Sequence, residues 1–474
     1  MKRILFIADT LSNGGGAEAL LSSYVNELNK KDYHICIQEV MQYDVKNEKI
    51  DSAVKLKRIP FFYYSKYKHV FSFLNKVNYF LLMNKPAILK DVFNLTDFDY
   101  VIAWNYQLPS FMLNAFECCC TIGWFHGPIE DLMLTRENML RSERLKYLNK
   151  KQLESWTKAQ SIITISNKSY ASLKTVFPSL KEKCKIIPNG IDIQNIIDKS
   201  KQSTEVILSK KNKHLCCCGR FDENKNFSLA IQALSIIKKK YAHVDLILIG
   251  TGKLQEHYIA EARNVGVFDS VVFTGYLPNP FPVIMQCDIF CLTSFSEGFP
   301  LVTIEAMVLG KPFITTKVAG ASEELCNNEK CGLIADRTAE SYAEKVLSLL
   351  NDRNLYTAMS LACSIHARNF SIAHAINKLD SHLSNEVCNI PHESLKKRQK
   401  HSKQLCSTVK NIFKYILYAL FFFDLNWIKE NIEKKKNICL CYTALYILSL
   451  FLLPIKLTYV FVYLIQVRRM KCSK

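Results

Sequence analysis

Two glutamates on either side of a helix start form the most informative segment of the chain. Glu297 and Glu305 are separated by seven residues, which open with Gly-Phe-Pro-Leu and continue as an apolar run. Proline is well tolerated in the first turn of a helix, where its missing N–H has no partner to lose. The pattern therefore predicts a helix that starts near Pro300. Glu297 would lie just before this helix and Glu305 about a turn and a half inside it.

Such an arrangement suits a polyhydroxylated or anionic ligand. The first backbone N–H groups of a helix have no partner within the helix and can donate hydrogen bonds to an anion or to a hydroxyl oxygen. The two carboxylates can accept hydrogen bonds from hydroxyl groups of the same ligand. A capped surface helix with two solvated glutamates is the alternative that this segment alone leaves open.

A cationic loop lies upstream of these glutamates. Arg220 and Lys225 follow an apolar, strand-like stretch at 215–218 and precede a helical stretch at 227–238. Arginine offers a planar fork of donors and lysine a compact charge, so the pair suits a diphosphate that gains charge as it leaves. The start of the following helix favours an anion too. A solvated loop pair is the alternative.

The first part of the chain adds glycines and a histidine. Gly14, Gly15 and Gly16 follow the first strand-like stretch, and glycines let the backbone approach a bound group closely. This run alone is weak evidence, and it is not the G-x-G-x-x-G fingerprint of dinucleotide sites. His126 ends another strand-like stretch, where a purely structural histidine is the competing interpretation.

Strand and helix signals alternate along the chain in two successive sets. Such alternation predicts parallel sheets covered by helices, and these sheets bind ligands at the carboxyl ends of their strands. A site between two such domains is therefore expected. The predicted strands are 4–8, 34–40, 54–59, 100–104, 121–124 and 162–165 in the first set, and 215–218, 246–249, 271–274, 289–292 and 313–315 in the second.

Several of these motifs together resemble the retaining family 4 glycosyltransferases, two-domain enzymes of the GT-B fold. Glu297 and Glu305 match the family's E-x7-E signature, and residues 219–225 match its G-R…K loop. Residues 188–192 read P-N-G-I-D, as in the family. Residues 318–323 are similar to its G-G-x-x-E turn, with alanine in place of the first glycine. The features occur in the family's order and extend from residue 1 to about residue 385.

The resemblance implies an α/β fold of the GT-B type, with two Rossmann-like, doubly wound parallel-sheet domains facing a cleft, plus a helical apolar C-terminal extension. The implied domains are an acceptor-side domain at 1–190, a donor domain at 191–370, a crossover helix at 371–385 and a basic, hydrophobic tail at 386–474.

It also implies roles for particular residues. Arg220 and Lys225 would contact the diphosphate, Glu297 the sugar hydroxyls, Glu305 the ribose and His126 the transferred sugar. The implied catalytic residues are His126, Arg220, Lys225 and Glu297, and the implied donor-binding residues are Gly15, Gly16, Asn189, Gly298, Phe299, Pro300, Leu301 and Glu305.

The implied reaction moves a hexose-type sugar from a nucleotide-diphosphate donor, a UDP-sugar, to a hydroxyl of a surface-polysaccharide or lipid-linked glycan acceptor. No metal and no further cofactor are expected. The D-x-D triplet at 97–99 precedes a strand instead of following one, so we interpret it as a turn. A nucleotide-sugar epimerase of the GT-B fold and a non-catalytic membrane-associated scaffold are the alternatives.

Charge and apolar content suggest where the protein works. The chain of 474 residues carries a net charge of +19, and residues 391–474 hold 16 Lys and Arg against 4 Asp and Glu. Because residues 438–455 form an uncharged apolar run within this tail, we expect a membrane partner and not a nucleic acid. The run could span the bilayer, lie in its interface or pack on the soluble core. The basic, aromatic segment at 61–85 is a second membrane candidate or a core helix.

No apolar signal segment is recognised at the N-terminus, and the 18 cysteines include runs that read as buried strands. We therefore expect reduced thiols and a location at the cytoplasmic face of the cell membrane, peripheral or anchored by the tail.

Overall fold

A computed structural model describes residues 2–11, 16–42, 50–57, 60–63, 68–117, 119–127, 143–317 and 322–387. Gly15 and the tail beyond residue 387 lie outside these residues, as do residues 318–321 of the turn at 318–323. The described residues form two parallel sheets with helices packed on them, which we call the first lobe and the second lobe.

The first lobe is built on a seven-stranded sheet in which every pairing is parallel, with the order β4-β2-β1-β6-β7-β8-β9. A separate two-stranded pair joins β3 to β5. The strands are β1 (Lys2–Ala8), β2 (Tyr33–Glu39), β3 (Met41–Gln42), β4 (Lys55–Leu56), β5 (Phe62–Tyr63), β6 (Tyr100–Trp104), β7 (Cys120–Phe125), β8 (Ser161–Thr164) and β9 (Cys184–Ile186).

The helices of this lobe connect its strands. They are α1 (Gly16–Asn29), α2 (Lys68–Asn84), α3 (Pro86–Val92), α4 (Leu108–Phe111), α5 (Glu143–Lys158) and α6 (Asn167–Val176). A further helix, α7 (Ile193–Ser200), follows β9 and packs on the second lobe. The central strands β6 and β7 are buried along their whole length, which is why they read as continuous apolar runs in the sequence.

The second lobe is built on a six-stranded parallel sheet with the order β12-β11-β10-β13-β14-β15. Its strands are β10 (Lys213–Cys218), β11 (Val244–Ile249), β12 (Val271–Gly275), β13 (Ile289–Leu292), β14 (Phe313–Thr316) and β15 (Gly332–Ala335). Its helices are α8 (Phe227–Lys240), α9 (Gln255–Asn264), α10 (Phe281–Gln286), α11 (Leu301–Val308), α12 (Ser322–Cys326), α13 (Ala339–Asn351) and α14 (Arg353–His366).

The last described helix, α15 (Ile372–Val387), packs against the first lobe. Asp380 accepts hydrogen bonds from Tyr33 Oη at 2.6 Å and from Lys31 Nζ at 2.7 Å. Tyr100 Oη donates to the carbonyl oxygen of Leu383 at 2.6 Å. The chain therefore returns to the first sheet after completing the second lobe, while the predicted boundaries at 190 and 370 stay predictions.

The parallel-sheet architecture predicted from the sequence is confirmed, with differences at the edges. Four short strands were missing from the prediction. These are β3, β5, β9 and β15, which contain only two to four residues each. The predicted helix start is off by one, because Pro300 is the residue before α11 and Leu301 begins it. Among the described residues, no helix combines the length and the apolar character needed to cross a bilayer.

Candidate active site

Two neighbouring strands of the second lobe carry the loops that form the centre of the site. Strand β10 pairs with β13, so the loops that follow them meet at the carboxyl edge of the sheet. The side chain of Asn224 donates to the carbonyl oxygen of Ser296 at 2.8 Å and accepts from its N–H at 3.1 Å. The N–H of Phe295 donates to the carbonyl oxygen of Asn224 at 2.8 Å. The two loops are therefore joined in a fixed register.

This register places Lys225 against Glu297. Lys225 Nζ lies 2.6 Å from Glu297 Oε1, and the two side chains are only 18% and 13% exposed. Ser294 Oγ donates to the same carboxylate oxygen at 2.6 Å. The lysine stem runs across Gly219, where a Cβ would lie 3.0 Å from Lys225 Cε. The structure thus brings together two of the four predicted catalytic residues in a shielded ion pair.

Arg220 belongs to the same loop but is not aimed at the ion pair. Its side chain is 88% exposed, and the guanidinium lies 3.5 Å from Asp222. Asp222 in turn accepts from the N–H of Lys225 at 3.2 Å and so shapes the turn that carries the lysine. Arg220 is therefore an exposed hydrogen-bond donor at the rim of the site, whereas Lys225 is held in the ion pair with Glu297.

Glu305 lies in the fifth position of α11. Burial raises the pKa of its carboxyl to about 7, and Lys199 only partly opposes this shift. Burial and then the charge of Glu305 raise the pKa of the Cys218 thiol to about 12. Since Cys218 ends β10, this coupling places Glu305 near the strand that leads into the cationic loop.

His126 comes directly after β7 in the first lobe. Its ring lies 4.5 Å from the ring of Trp104 and is stacked on Trp124 at 5.8 Å. Burial lowers the pKa of His126 to about 3, and neighbouring Asn189 only partly offsets this effect. Among the described residues, neither ring nitrogen has a hydrogen-bond partner, nor does Asn189 Oδ1. A neutral imidazole with both nitrogens buried is thus held by aromatic packing beside Asn189.

The two lobes meet at glycines. A Cβ on Gly298 would collide with the carbonyl oxygen of His126 and would lie 3.1 Å from Gly127 Cα. A Cβ on Gly16 would lie 3.9 Å from Leu301 Cδ1. The start of α11 in the second lobe therefore faces both the end of β7 and the start of α1.

Two predicted donor-binding residues, Phe299 and Asn189, have buried side chains. Phe299 packs on Phe370, with ring centroids 5.6 Å apart, so its backbone N–H is the group that can reach a ligand. Gly190 follows the buried Asn189 and donates its N–H to Tyr24 Oη at 3.1 Å. The P-N-G-I-D segment is thus tied to α1.

Sequence reasoning missed several polar residues at this edge. Asn224 and Ser294 were not singled out, although each follows an apolar strand, which is the signal that could have found them. Asp9 follows β1 in the same way. Asn105 Nδ2 donates to Asp9 Oδ2 at 2.7 Å, and burial raises the pKa of Asp9 to about 7. The D-x-D triplet is a turn, as predicted, and Asp99 Oδ2 accepts from the N–H of Arg3 at 2.8 Å.

Comparison with known families divides the chain in the same two parts. Residues 14–195 match the model of Glycosyltransferase Family 4, and residues 198–362 match that of Glycosyl transferases group 1. Together, the two matches extend over most of both lobes.

Similar proteins include an N-acetylgalactosamine-N,N'-diacetylbacillosaminyl-diphospho-undecaprenol 4-alpha-N-acetylgalactosaminyltransferase of Campylobacter jejuni, 26% identical over 216 residues, which are 45% of this chain and 57% of that protein. The capsular polysaccharide biosynthesis glycosyltransferase CapM of Staphylococcus aureus is 31% identical over 139 residues, 29% of this chain and 36% of that protein. The matches thus span 57% of the length of the first of these relatives and 36% of the length of the second.

Solved structures share the fold. Anabaena HepE in complex with UDP superposes with a TM-score of 0.62 at 17% identity, over 81% of this chain and 100% of that one. The two parallel-sheet lobes, the two family matches and this structural likeness lead to one conclusion: the chain has the GT-B fold and combines a Glycosyltransferase Family 4 domain with a Glycosyl transferases group 1 domain.

Proposed function

We propose that the protein is a retaining glycosyltransferase that moves a hexose-type sugar from a UDP-sugar to a hydroxyl of a surface-polysaccharide or lipid-linked glycan acceptor. The observation that carries the proposal is the shielded contact between Lys225 and Glu297, at the edge of the second lobe that faces His126. A cation for a diphosphate and a carboxylate for sugar hydroxyls are thereby adjacent, as a nucleotide-sugar requires.

On the donor side, Lys225 binds the diphosphate and the exposed Arg220 reaches the same group from the rim of the site. These two cations stabilise the charge that develops as the diphosphate leaves, so the proposal requires no metal ion. Glu305 binds the ribose hydroxyls, and Glu297 binds the hydroxyls of the sugar with help from the backbone N–H groups at 298–301, before and at the start of α11.

On the acceptor side, neutral His126 contacts the transferred sugar, as the resemblance to family 4 enzymes implies. The bond from the anomeric carbon to the diphosphate oxygen breaks, and a bond from that carbon to the acceptor oxygen forms on the same face. The proton of the acceptor hydroxyl passes to the departing phosphate oxygen. This course follows the resemblance to retaining family 4 enzymes and assigns no protein nucleophile.

The relatives support the substrate classes. The solved neighbour from Anabaena binds UDP, the Campylobacter relative is named for an undecaprenol diphosphate-linked acceptor, and the Staphylococcus relative for capsular polysaccharide. A UDP-sugar donor and a glycan or lipid-linked acceptor are therefore our choice for this chain.

A donor screen tests the proposal. The full chain is titrated with UDP and GDP by calorimetry, then incubated with the UDP- and GDP-hexoses while nucleotide release and sugar isomers are followed. Binding of UDP with slow release of UDP from one UDP-hexose supports the proposal. Conversion of the bound donor to its epimer would indicate an epimerase instead, and no nucleotide binding would indicate a non-catalytic scaffold.

We further propose that the protein works at the cytoplasmic face of the membrane, held there by the tail. The support is the basic and apolar composition of residues 391–474. Deletion of these residues should move the protein from the membrane pellet to the supernatant. A truncated protein that still sediments with membranes would reject the tail as the anchor and direct attention to residues 61–85.

A further inference from the structure

The ion pair at the centre of the site joins the two side chains that we propose bind the donor, Lys225 for its diphosphate and Glu297 for its sugar. Lys225 Nζ is bound to Glu297 Oε1 at 2.6 Å, and the hydroxyl of Ser294 donates to that same oxygen. Both side chains are largely shielded, with exposures of 18% and 13%. In the free protein, therefore, the lysine is already neutralised by an internal anion.

The pair is also held in place by its surroundings. Thr293 Oγ1 donates to the carbonyl oxygen of Lys225 at 2.8 Å, and Asn224 joins this loop to Ser296. The lysine stem rests on Gly219. Because both loops are fixed, a diphosphate that approaches Lys225 arrives beside the carboxylate of Glu297.

A diphosphate and Glu297 then compete for the same cation. If the diphosphate takes Lys225, the carboxylate loses its ion pair and is left beside another anion in a shielded position. Both the lost partner and the like-charge repulsion disfavour this state. A sugar attached to the diphosphate changes the balance, because its hydroxyls can donate to Glu297 and replace the interaction with Lys225.

We propose that Glu297 makes nucleotide binding depend on the attached sugar, so that the site retains the nucleotide-sugar and expels the nucleoside diphosphate after transfer. This inference rests on the proposed function and adds product release to the roles of the site. When the sugar has moved to the acceptor, Glu297 recovers Lys225 and displaces the spent diphosphate.

The proposal predicts an unusual response to removal of a carboxylate. Glu297→Gln keeps the size of the side chain but abolishes its charge. The full-length variant should bind UDP about tenfold more tightly than wild type, because loss of the carboxylate charge removes its repulsion of the bound diphosphate. Affinity for a UDP-hexose should stay level or fall, because the glutamine amide can accept only part of the hydrogen bonds that the sugar hydroxyls donate to the carboxylate.

Isothermal titration calorimetry measures both affinities, using UDP and the UDP-hexose selected by the donor screen, or GDP and the corresponding GDP-hexose if the wild type binds those. Glu223→Gln serves as the matched control. Glu223 lies two residues before Lys225 and pairs with Lys253 at 2.8 Å on the exposed surface, so its loss should change UDP affinity less than about twofold.

The outcomes separate the two proposals. Tighter UDP binding by Glu297→Gln without tighter UDP-hexose binding, and with unchanged affinity in Glu223→Gln, supports the inference, whereas an equal gain for UDP and the UDP-hexose overturns it. Wild-type binding of UDP with no gain in Glu297→Gln, or an equal gain in both variants, overturns the inference but leaves the proposed function standing. Failure of the wild type to bind any nucleoside diphosphate or any nucleotide-sugar overturns both.

Discussion

Gly298 of the second lobe touches the carbonyl oxygen of His126 in the first lobe so closely that no Cβ could be added without movement. Gly298 follows Glu297 in the donor-side loop, and His126 ends a strand of the opposite lobe. The separation of the lobes at the reacting centre is therefore set by a backbone contact.

Gly298→Ala should force the lobes apart at this contact. We expect UDP binding to persist, because Lys225 and Glu305 belong to the second lobe, while transfer or donor hydrolysis falls by tenfold or more, since an ångström of misplacement costs on the order of 10²-fold. Gly266→Ala, just after α9, is the control for a general loss of stability, because its Cβ would meet no atom within 4 Å while its positive φ of 74° strains the backbone outside the site. Normal turnover in Gly298→Ala would show that the contact does not set the reacting geometry.

The lobes were predictable from the sequence because their strands are buried on both faces. Strands β6, β10 and β13 are short continuous apolar runs bounded by polar residues, and the structure has them within a few residues of the predicted ranges. Strand β15 was missed, since a four-residue run of Gly-Leu-Ile-Ala carries little periodic signal. The edge strand β4 is exposed and contains only two residues.

The site was predictable as a set of motifs but not as a set of contacts. Adjacent strands bring the loops of Lys225 and Glu297 together, which follows from topology. The outward direction of Arg220, the burial of Phe299 and the unpaired ring of His126 depend on side-chain packing between segments distant in sequence. No local pattern encodes those contacts.

Asn224 should act as a positioning residue. Asn224→Ala removes both hydrogen bonds to Ser296, each contributing about 0.5–1.5 kcal/mol to stability, and loosens the register between Lys225 and Glu297. We expect a lower melting temperature and a fall in kcat of about tenfold. Asn212→Ala is the control, because Asn212 donates to Asp245 at 2.7 Å in the same lobe. Equal losses of kcat in the two variants would argue against a specific role for Asn224.

Glu305 should give the protein a pH-dependent stability. Burial raises the pKa of its carboxyl from 4.5, the ordinary value for glutamate, to about 7 in the folded protein, so the unfolded chain releases this proton at lower pH. The contribution of the protonated Glu305 carboxyl to the free energy of unfolding is present below pH 4.5 and is lost as the pH rises to about 7.

Glu305→Gln, which stays neutral, should therefore exceed wild type in stability by up to about 3 kcal/mol at pH 8 and match it near pH 4. Chemical denaturation at both pH values measures the difference. Glu256→Gln, an exposed change on α9, controls for loss of charge alone. An advantage of Glu305→Gln that is equal at both pH values would refute the assignment of a raised pKa.

His126 should act as a neutral group throughout the working pH range. Because burial lowers the pKa of its imidazole to about 3, donor turnover should lack an acid limb due to histidine between pH 5 and 8. His126→Ala should reduce turnover without weakening UDP binding, as the ring belongs to the opposite lobe. A wild-type acid limb near pH 6.5 that vanishes in His126→Ala would mean that the ring becomes protonated during the reaction.

The central claim is that Lys225 binds a nucleoside diphosphate, and calorimetric titration of UDP into the full chain and Lys225→Ala tests it most directly. Lys253→Ala is the control, because Lys253 forms an exposed pair with Glu223. We predict that wild type and Lys253→Ala bind UDP alike, and that Lys225→Ala binds it at least about tenfold more weakly and turns over its donor about 10²-fold more slowly. Equal UDP affinity in wild type and Lys225→Ala would contradict the claim.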